Sequence, residues 1–405
     1  MITEHLLGWF FLSVIFIYIF LLKEKYSEVK NCLLIAFILR ALCVVLDQYE
    51  LIRLPDGYAD ASKFEATARL FSREYGLIII FDFFKTDAFL ISRIISIFYT
   101  ILGESKMMAQ SISVALGTAS VYLVYKLCLI LWDNRSAKKA AWLTSIFPIL
   151  ILYSSLTLRE VYIIFFLLFG LIGIAKFINN NSFISLFQTL ISFAILIFFH
   201  GPLAIGAFVF LFYLVTSLIK NQLFKLYHLK IDKLSLFLIL FSLIPLILFL
   251  SNNIEIPYIG GIQTLFNLSG SIPKINNYMF DTAAYPSWLL INNNYELFTK
   301  GIFKILYFLY GPFVWDIKTS YHLIGLLDGS LYIILTIFLL KNWQTIWANP
   351  VGRFFILLLL SYIIIYGISV GNFGTGIRHR SKFVIILIIL AAPKLHKFVF
   401  YFKKI

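Results

Sequence analysis

Residues 354–370 read Phe-Phe-Ile-Leu-Leu-Leu-Leu-Ser-Tyr-Ile-Ile-Ile-Tyr-Gly-Ile-Ser-Val. No charge interrupts the run, and its polar residues do not alternate as they would on a half-exposed strand. At 1.5 Å of rise per residue, a helix of this length covers most of the roughly 30 Å hydrocarbon core of a bilayer. Working outward, runs of comparable character recur at 6–22, 31–46, 107–132, 140–156, 161–177, 183–199, 202–219, 234–251, 319–340 and 383–400. The whole chain has 405 residues, 61% of them apolar and 13% charged, with a mean hydropathy of +0.91. A soluble domain is about 45–50% apolar and about 25% charged, so soluble and disordered classes are excluded. Continuous runs also argue against an outer-membrane barrel, whose strands alternate in segments of about 10 residues. The expected fold is all-α: a polytopic integral membrane protein of about 11 transmembrane helices, forming a single transmembrane domain over 1–405.

Charge orients the spans. The connections at 23–30, 133–139, 220–233 and 341–353 and the tail, with the adjoining span ends, hold 18 Lys and Arg against 4 Asp and Glu. The opposite face holds 15 against 16, so essentially all of the +14 net charge lies on one side. By the positive-inside rule that side is cytoplasmic, which places the N-terminus outside and the C-terminus inside. The basic balance is thus a topology signal and not a nucleic-acid footprint. The first run, Leu6 to Leu22, lacks a basic flank and a small-residue cleavage site, and reads as a retained span. Cys32, Cys43 and Cys128 all fall in apolar runs and imply no disulfide framework.

Two long segments, 47–106 and 252–318, face the exterior. Within the first, Tyr75–Phe84 and Ala88–Leu102 are apolar but interrupted by Asp82, Asp87 and Arg93. Both are short for a crossing, as is Ile302–Trp315 in the second, and all three suit amphipathic helices lying at the membrane surface.

Ionisable groups collect on this exterior side. Asp56 and Asp60 open the first loop, followed by Glu65, Arg69 and Arg73 at helical spacing. Asp60 fits either the N-cap of a helix over Ala61–Glu74 or, with Asp56, a carboxylate presented to a substrate hydroxyl or a divalent metal. Arg159-Glu160 occupies a tight turn between two spans, and His200 ends another before Gly201-Pro202. Such a histidine serves as a turn residue or as a base. Gly371-Asn-Phe-Gly-Thr-Gly-Ile-Arg378-His379-Arg380 is the most informative stretch. A basic cluster on the exterior face runs against the positive-inside preference, so something must favour it there. Arginine forks match phosphate, and in an extended loop Arg378 and Arg380 face the same way, whereas in a helix they diverge. Tyr285-Pro-Ser-Trp288 and Trp315 offer aromatic surface for a sugar or for the membrane boundary. Asp316 suits a helix cap, Asp328 lies within a span facing other helices, and Arg40 within another calls for a carboxylate partner. There is no phosphate-binding Walker loop, no dinucleotide fingerprint, no HExxH and no zinc-spaced Cys/His cluster.

Taken together, the Asp56–Asp60 loop, Tyr99…Gly103-Glu-Ser105, Pro148…Arg159-Glu160, Pro312-Phe-Val-Trp315 and the Arg378-His-Arg380 turn resemble a family. From about residue 30 onward the layout is similar to Wzy-type O-antigen and capsule polymerases, within or near the GT-C superfamily of membrane glycosyltransferases. GT-C enzymes usually carry the first acidic loop after span one. Here it follows span two, so the resemblance implies an extra N-terminal span. It further implies a bacterial inner-membrane enzyme whose two long loops are periplasmic. The substrate would be undecaprenyl-diphosphate-linked oligosaccharide, with membrane lipid and a chain-length regulator as partners and no nucleic acid. Arg378, Arg380 and Arg159, with His379, would hold the phosphates. Asp60, Asp56, Glu160 or His200 would act as base, and Tyr285, Trp288 and Trp315 would meet the sugar. Neither nucleotide nor ATP would be needed, no cofactor is certain, and the Asp56/Asp60 pair leaves a divalent metal open. Two alternatives stay open: a GT-C transferase moving one sugar from a polyprenyl-phosphate donor, and a non-enzymatic flippase of lipid-linked glycans. A flippase calls for charges at mid-depth along a pathway, and here they gather on one side.

Overall fold

A computed structural model describes residues 2–22, 27–83, 85, 87–227 and 283–395. Among these the chain is all-helical, with no strand and a single isolated β-bridge between Ala284 and Asn372. The helices are α1 (Ile2–Phe20), α2 (Ser27–Gln48), α3 (Ser62–Glu74), α4 (Leu90–Leu102), α5 (Lys106–Leu131), α6 (Asn134–Ile146), α7 (Pro148–Tyr153) and α8 (Arg159–Asn180). They continue with α9 (Phe183–Phe199), α10 (Ala204–Tyr227), α11 (Asn294–Tyr310), α12 (Ser320–Lys341), α13 (Trp343–Ala348), α14 (Pro350–Ser369), α15 (Phe373–Arg380) and α16 (Val384–Ala391).

Six helical stretches among the described residues are long and apolar enough to cross a membrane: Ser27–Gln48, Lys106–Leu131, Arg159–Asn180, Gly201–Lys220, Ser320–Lys341 and Pro350–Ser369. The apolar helices at Glu4–Phe20 and Phe183–Phe199 are shorter. Large apolar side chains stand exposed on the outer faces, among them Phe16, Phe183, Ile184, Leu327 and Leu340. Apolar surface of that extent belongs against lipid. The structure is that of a helical membrane protein.

The expected span at 140–156 is not one helix. Pro148 removes a backbone donor and pushes Phe147 to an extended conformation (φ −68°, ψ 117°), so the segment divides into α6 and α7. The span expected at 234–251 lies outside the described residues, as does 252–282 of the segment expected to follow it outside the membrane. The described part of the last expected span, α16, is buried on every side and lies inside the helical core.

Small residues bring the central helices together. A Cβ added to Gly170 or Gly173 of α8 would meet Ser192 and Thr189 of α9 at 2.9 and 2.6 Å, the close approach that small residues permit between apolar helices. Ser105 caps α5 by accepting from Met108 N at 3.2 Å and also donates to the Glu4 carbonyl at 2.5 Å. It follows Gly103, whose φ of 101° turns the chain from α4 into α5. Within 47–106 α3 pairs with α4, and an ionic net of Glu65, Arg69, Arg73 and Glu104 closes the pair. The stretch after α3 is a tight 3-10 turn over Gly76–Asp82, with Phe81 86% exposed.

Candidate functional site

The site is built from seven elements. They are the stretch 49–61, which ends in a helical turn over Gly57–Ala61, α7, the first turn of α8, the end of α9, the start of α12, α14, and α15 with the turn after it.

The Arg378-His379-Arg380 stretch folds as helix, not as an extended loop. Asn372 initiates α15 by accepting from Thr375 N at 3.2 Å. The chain ahead of α11 braces it, with Tyr285 N donating to the Gly371 carbonyl and Phe373 N to the Ala283 carbonyl, at 2.9 and 2.8 Å. Gly374 and Gly376 thus take helical backbone, and a Cβ on Gly376 would meet the Tyr285 hydroxyl at 2.8 Å. In a helix the two arginines diverge, and they do so here.

Arg378 Nη1 donates to Asp60 Oδ2, and its Nε lies 2.8 Å from Glu160 Oε1. Glu160 is fully buried at the start of α8, with Lys382 Nζ at 3.5 Å and Arg159 Nε at 3.9 Å. Lys382 also donates to His379 Nδ1 at 2.7 Å. The His379 ring lies 5.1 Å from that of His200 and 5.0 Å from that of Tyr366, whose hydroxyl meets His200 Nδ1 at 2.8 Å. Burial, aided by the neighbouring Lys382 charge, holds both imidazoles well below their ordinary range. Burial pulls the Lys382 ammonium down to about 7, against the attraction of Glu160. Asp60, Glu160, Arg159, His200, Arg378 and His379 are therefore one connected cluster. Asp60 does not cap the following helix: α3 begins at Ser62, and its N-cap is Ala61.

Arg380 is elsewhere. Its Nε donates to Asp328 Oδ2 at 2.8 Å, Nη1 reaches the Gly311 carbonyl at 2.7 Å, and Nη2 reaches the Gly325 carbonyl at 3.1 Å. The guanidinium also lies over the Tyr332 ring, 5.0 Å from its centroid. With its donors and charge matched inside the protein, it ties α15 to α12 and the end of α11. Among the described residues Arg40 has no carboxylate partner. Its Nε donates to Ser154 Oγ at 2.7 Å and its Nη1 to the Ala36 and Ser145 carbonyls.

Beside the cluster opens a cavity of about 640 Å³, lined by Arg53, Asp56, Tyr58, Tyr153, His322 and Phe373 among others. Asp56 has a left-handed backbone (φ 63°), a conformation that aspartate tolerates better than most residues. Its Oδ2 accepts from the Tyr153 hydroxyl at 3.1 Å. Burial pushes the Asp56 carboxyl up from the ordinary aspartate range, against the opposing pull of Arg378 and the Tyr153 hydroxyl. A half-buried carboxylate held at a cavity wall is suited to taking a proton from a bound hydroxyl.

The aromatic residues form a second hollow of about 500 Å³, with Trp288, Tyr307, Phe313, Trp315 and Asp316 on its walls. Trp315 is 74% exposed and its Nε1 donates to the Tyr307 hydroxyl at 3.3 Å. Tyr285 is buried against Phe373 and Tyr307, so it supports the hollow from beneath. Asp316 caps its own short turn, accepting from Phe313 N at 3.0 Å. Among the described residues no three His, Cys, Asp or Glu side chains converge in a way that could hold a metal ion.

Sequence reasoning missed Lys382, Tyr366, Arg53 and His322. Lys382 was within reach: read as a helix, Arg378 and Lys382 stand at i and i+4 on one face. Tyr366 carries no such signal, because a tyrosine in a long apolar run reads as core. Compared with protein families, curated proteins and solved structures, the chain matches none.

Proposed function

We propose that the chain is a membrane glycosyltransferase that polymerises undecaprenyl-diphosphate-linked oligosaccharide units at the exterior face of a bacterial cytoplasmic membrane. The observation that carries the reading is Asp56, a carboxylate of raised pKa on the wall of the 640 Å³ cavity. In this reading Asp56 takes the proton from the acceptor sugar hydroxyl. The hydroxyl oxygen forms a bond to the anomeric carbon of the donor, and the anomeric carbon–oxygen bond to the lipid diphosphate breaks. The diphosphate leaves with the electron pair, so neither nucleotide nor ATP is needed.

Arg378 acts here as a positioning residue. With Asp60 on one side and Glu160 on the other, it fastens the loop bearing Asp56 to the helical core. The aromatic hollow around Trp288 and Trp315 favours a multi-sugar chain over a single sugar, because it supplies a second apolar surface outside the cavity. The test is a glycan ladder from cells lacking the chain and complemented with wild type or Asp56→Asn. Wild type restores long polymer, and the variant leaves a single repeat unit. Restoration of full-length polymer by Asp56→Asn would overturn the assignment.

A further inference from the structure

Of the three arginines first expected to hold phosphate, Arg378 faces Asp60 and Glu160, Arg380 pairs with Asp328, Arg159 lies 3.9 Å from Glu160, and none of the three lines the cavity. A leaving phosphate needs a cation elsewhere, and the cavity has one. Arg53 lines it, is exposed, and among the described residues meets only the Tyr58 ring, 5.7 Å from its centroid, with no carboxylate partner. His322 lines the same cavity and is 5% exposed. Its Nδ1 is taken up by local backbone, lying 3.1 Å from the Lys318 N–H and 3.0 Å from the Asp316 carbonyl. Nε2 makes no hydrogen bond among the described residues and is the ring nitrogen left for a ligand. Thr319 and Tyr321, at the start of α12, also line the cavity, and Thr319 makes no side-chain capping bond there. The positive end of a long helix therefore opens on the same space.

We propose that Arg53, His322 and the N-terminus of α12 form a phosphoryl-binding subsite of this cavity. Arg53 supplies a forked donor, His322 Nε2 a single donor, and the first turn of α12 the backbone N–H groups of Ser320 and Tyr321, since that of His322 already donates to the Thr319 carbonyl. Asp56 stands on the same cavity, so one space holds both a base and an anion site, the pair that transfer from a glycosyl phosphate requires. The subsite rests on the glycosyl-transfer reading for its role in turnover, but binding can be measured without turnover.

The experiment uses the full chain in phosphatidylcholine nanodiscs. Wild type, Arg53→Gln and His322→Gln are titrated with undecaprenyl phosphate and, separately, with inorganic pyrophosphate. Arg73→Gln, an exposed arginine paired with Glu104, is the control. Arg53→Gln weakens binding about tenfold or more, the loss expected for a charge-assisted hydrogen bond, and Arg73→Gln leaves it unchanged. Arg53 is exposed, so its variant keeps the test sound if His322→Gln fails to fold. Weakening for both probes assigns the subsite to the phosphoryl group itself. Weakening for undecaprenyl phosphate alone assigns it to a lipid headgroup. Equal binding by wild type and Arg53→Gln, or no binding of either probe by wild type, overturns the proposal. Weakened binding together with a polymer ladder unaffected by Asp56→Asn would leave the subsite standing and remove the polymerase reading. Unchanged binding with a ladder lost in Asp56→Asn would do the reverse.

Discussion

Arg378 Nε lies 2.8 Å from Glu160 Oε1, and through this contact the short helix after the tenth expected span is locked to the first turn of α8. The carboxylate is fully buried and faces three cations, Arg159, Arg378 and Lys382, so its removal strands positive charge in an apolar core. Breaking one side of a buried ion pair costs about 3–5 kcal/mol. Glu160→Gln is therefore expected to lower the thermal unfolding midpoint of detergent-purified protein sharply. Asp60→Asn, on a side chain 51% exposed, is expected to cost under about 1 kcal/mol.

Arg380 gives a contrasting outcome. Its pair with Asp328 and its carbonyl contacts are internal, so Arg380→Met destabilises by an amount similar to Glu160→Gln. Arg380→Met/Asp328→Leu recovers much of that loss, because neither charge remains stranded. Thermal unfolding of the single and double variants checks both statements. A double variant no more stable than the single would show that the carbonyl contacts, and not the ion pair, dominate.

Asp56 links stability to pH in the opposite sense to an ordinary paired carboxylate. The fold raises its pKa, so the folded chain holds this proton more tightly than the unfolded chain. Its ionisation costs stability, a cost that begins as pH rises through the unfolded aspartate range and is complete above the raised value. Asp56→Asn removes that cost and keeps a residue that tolerates the left-handed backbone, so the variant should be at least as stable as wild type at neutral pH. Glycosyl transfer by wild type should fall on the acid side at a pH above the ordinary aspartate range. Unfolding midpoints and initial rates across a pH series measure the two effects separately.

Trp315 is 74% exposed, and little of the fold rests on it. Trp315→Ala should leave the unfolding midpoint nearly unchanged while raising the KM for an oligosaccharide acceptor. An equal KM in the variant would return Trp315 to the role of a membrane-surface anchor.

The helical membrane class was plain in the sequence because unbroken apolar runs such as 354–370 admit few other readings. Helix breaks were harder. Hydropathy continues across Phe147-Pro148, but Pro148 cannot donate its backbone hydrogen bond, and there the run divides. The charged residues of the cluster stood out in the sequence singly, but not as pairs. Nothing in Arg378-His379-Arg380 says which arginine meets Asp60 and Glu160 and which meets Asp328; that depends on the stretch being helical. Arg53 and His322 gave no signal, since an exposed arginine and a histidine near a helix start are common, and only the cavity brings them to one place.

The central claim is glycosyl transfer at Asp56, and reconstituted turnover tests it most directly. Purified chain in liposomes is given undecaprenyl-diphosphate-linked oligosaccharide, and both glycan length and released undecaprenyl diphosphate are followed. The account predicts that wild type builds a ladder and releases one undecaprenyl diphosphate per bond formed, and that folded Asp56→Asn does neither. A ladder of equal length from Asp56→Asn, or intact donor after incubation with folded wild type, would contradict it.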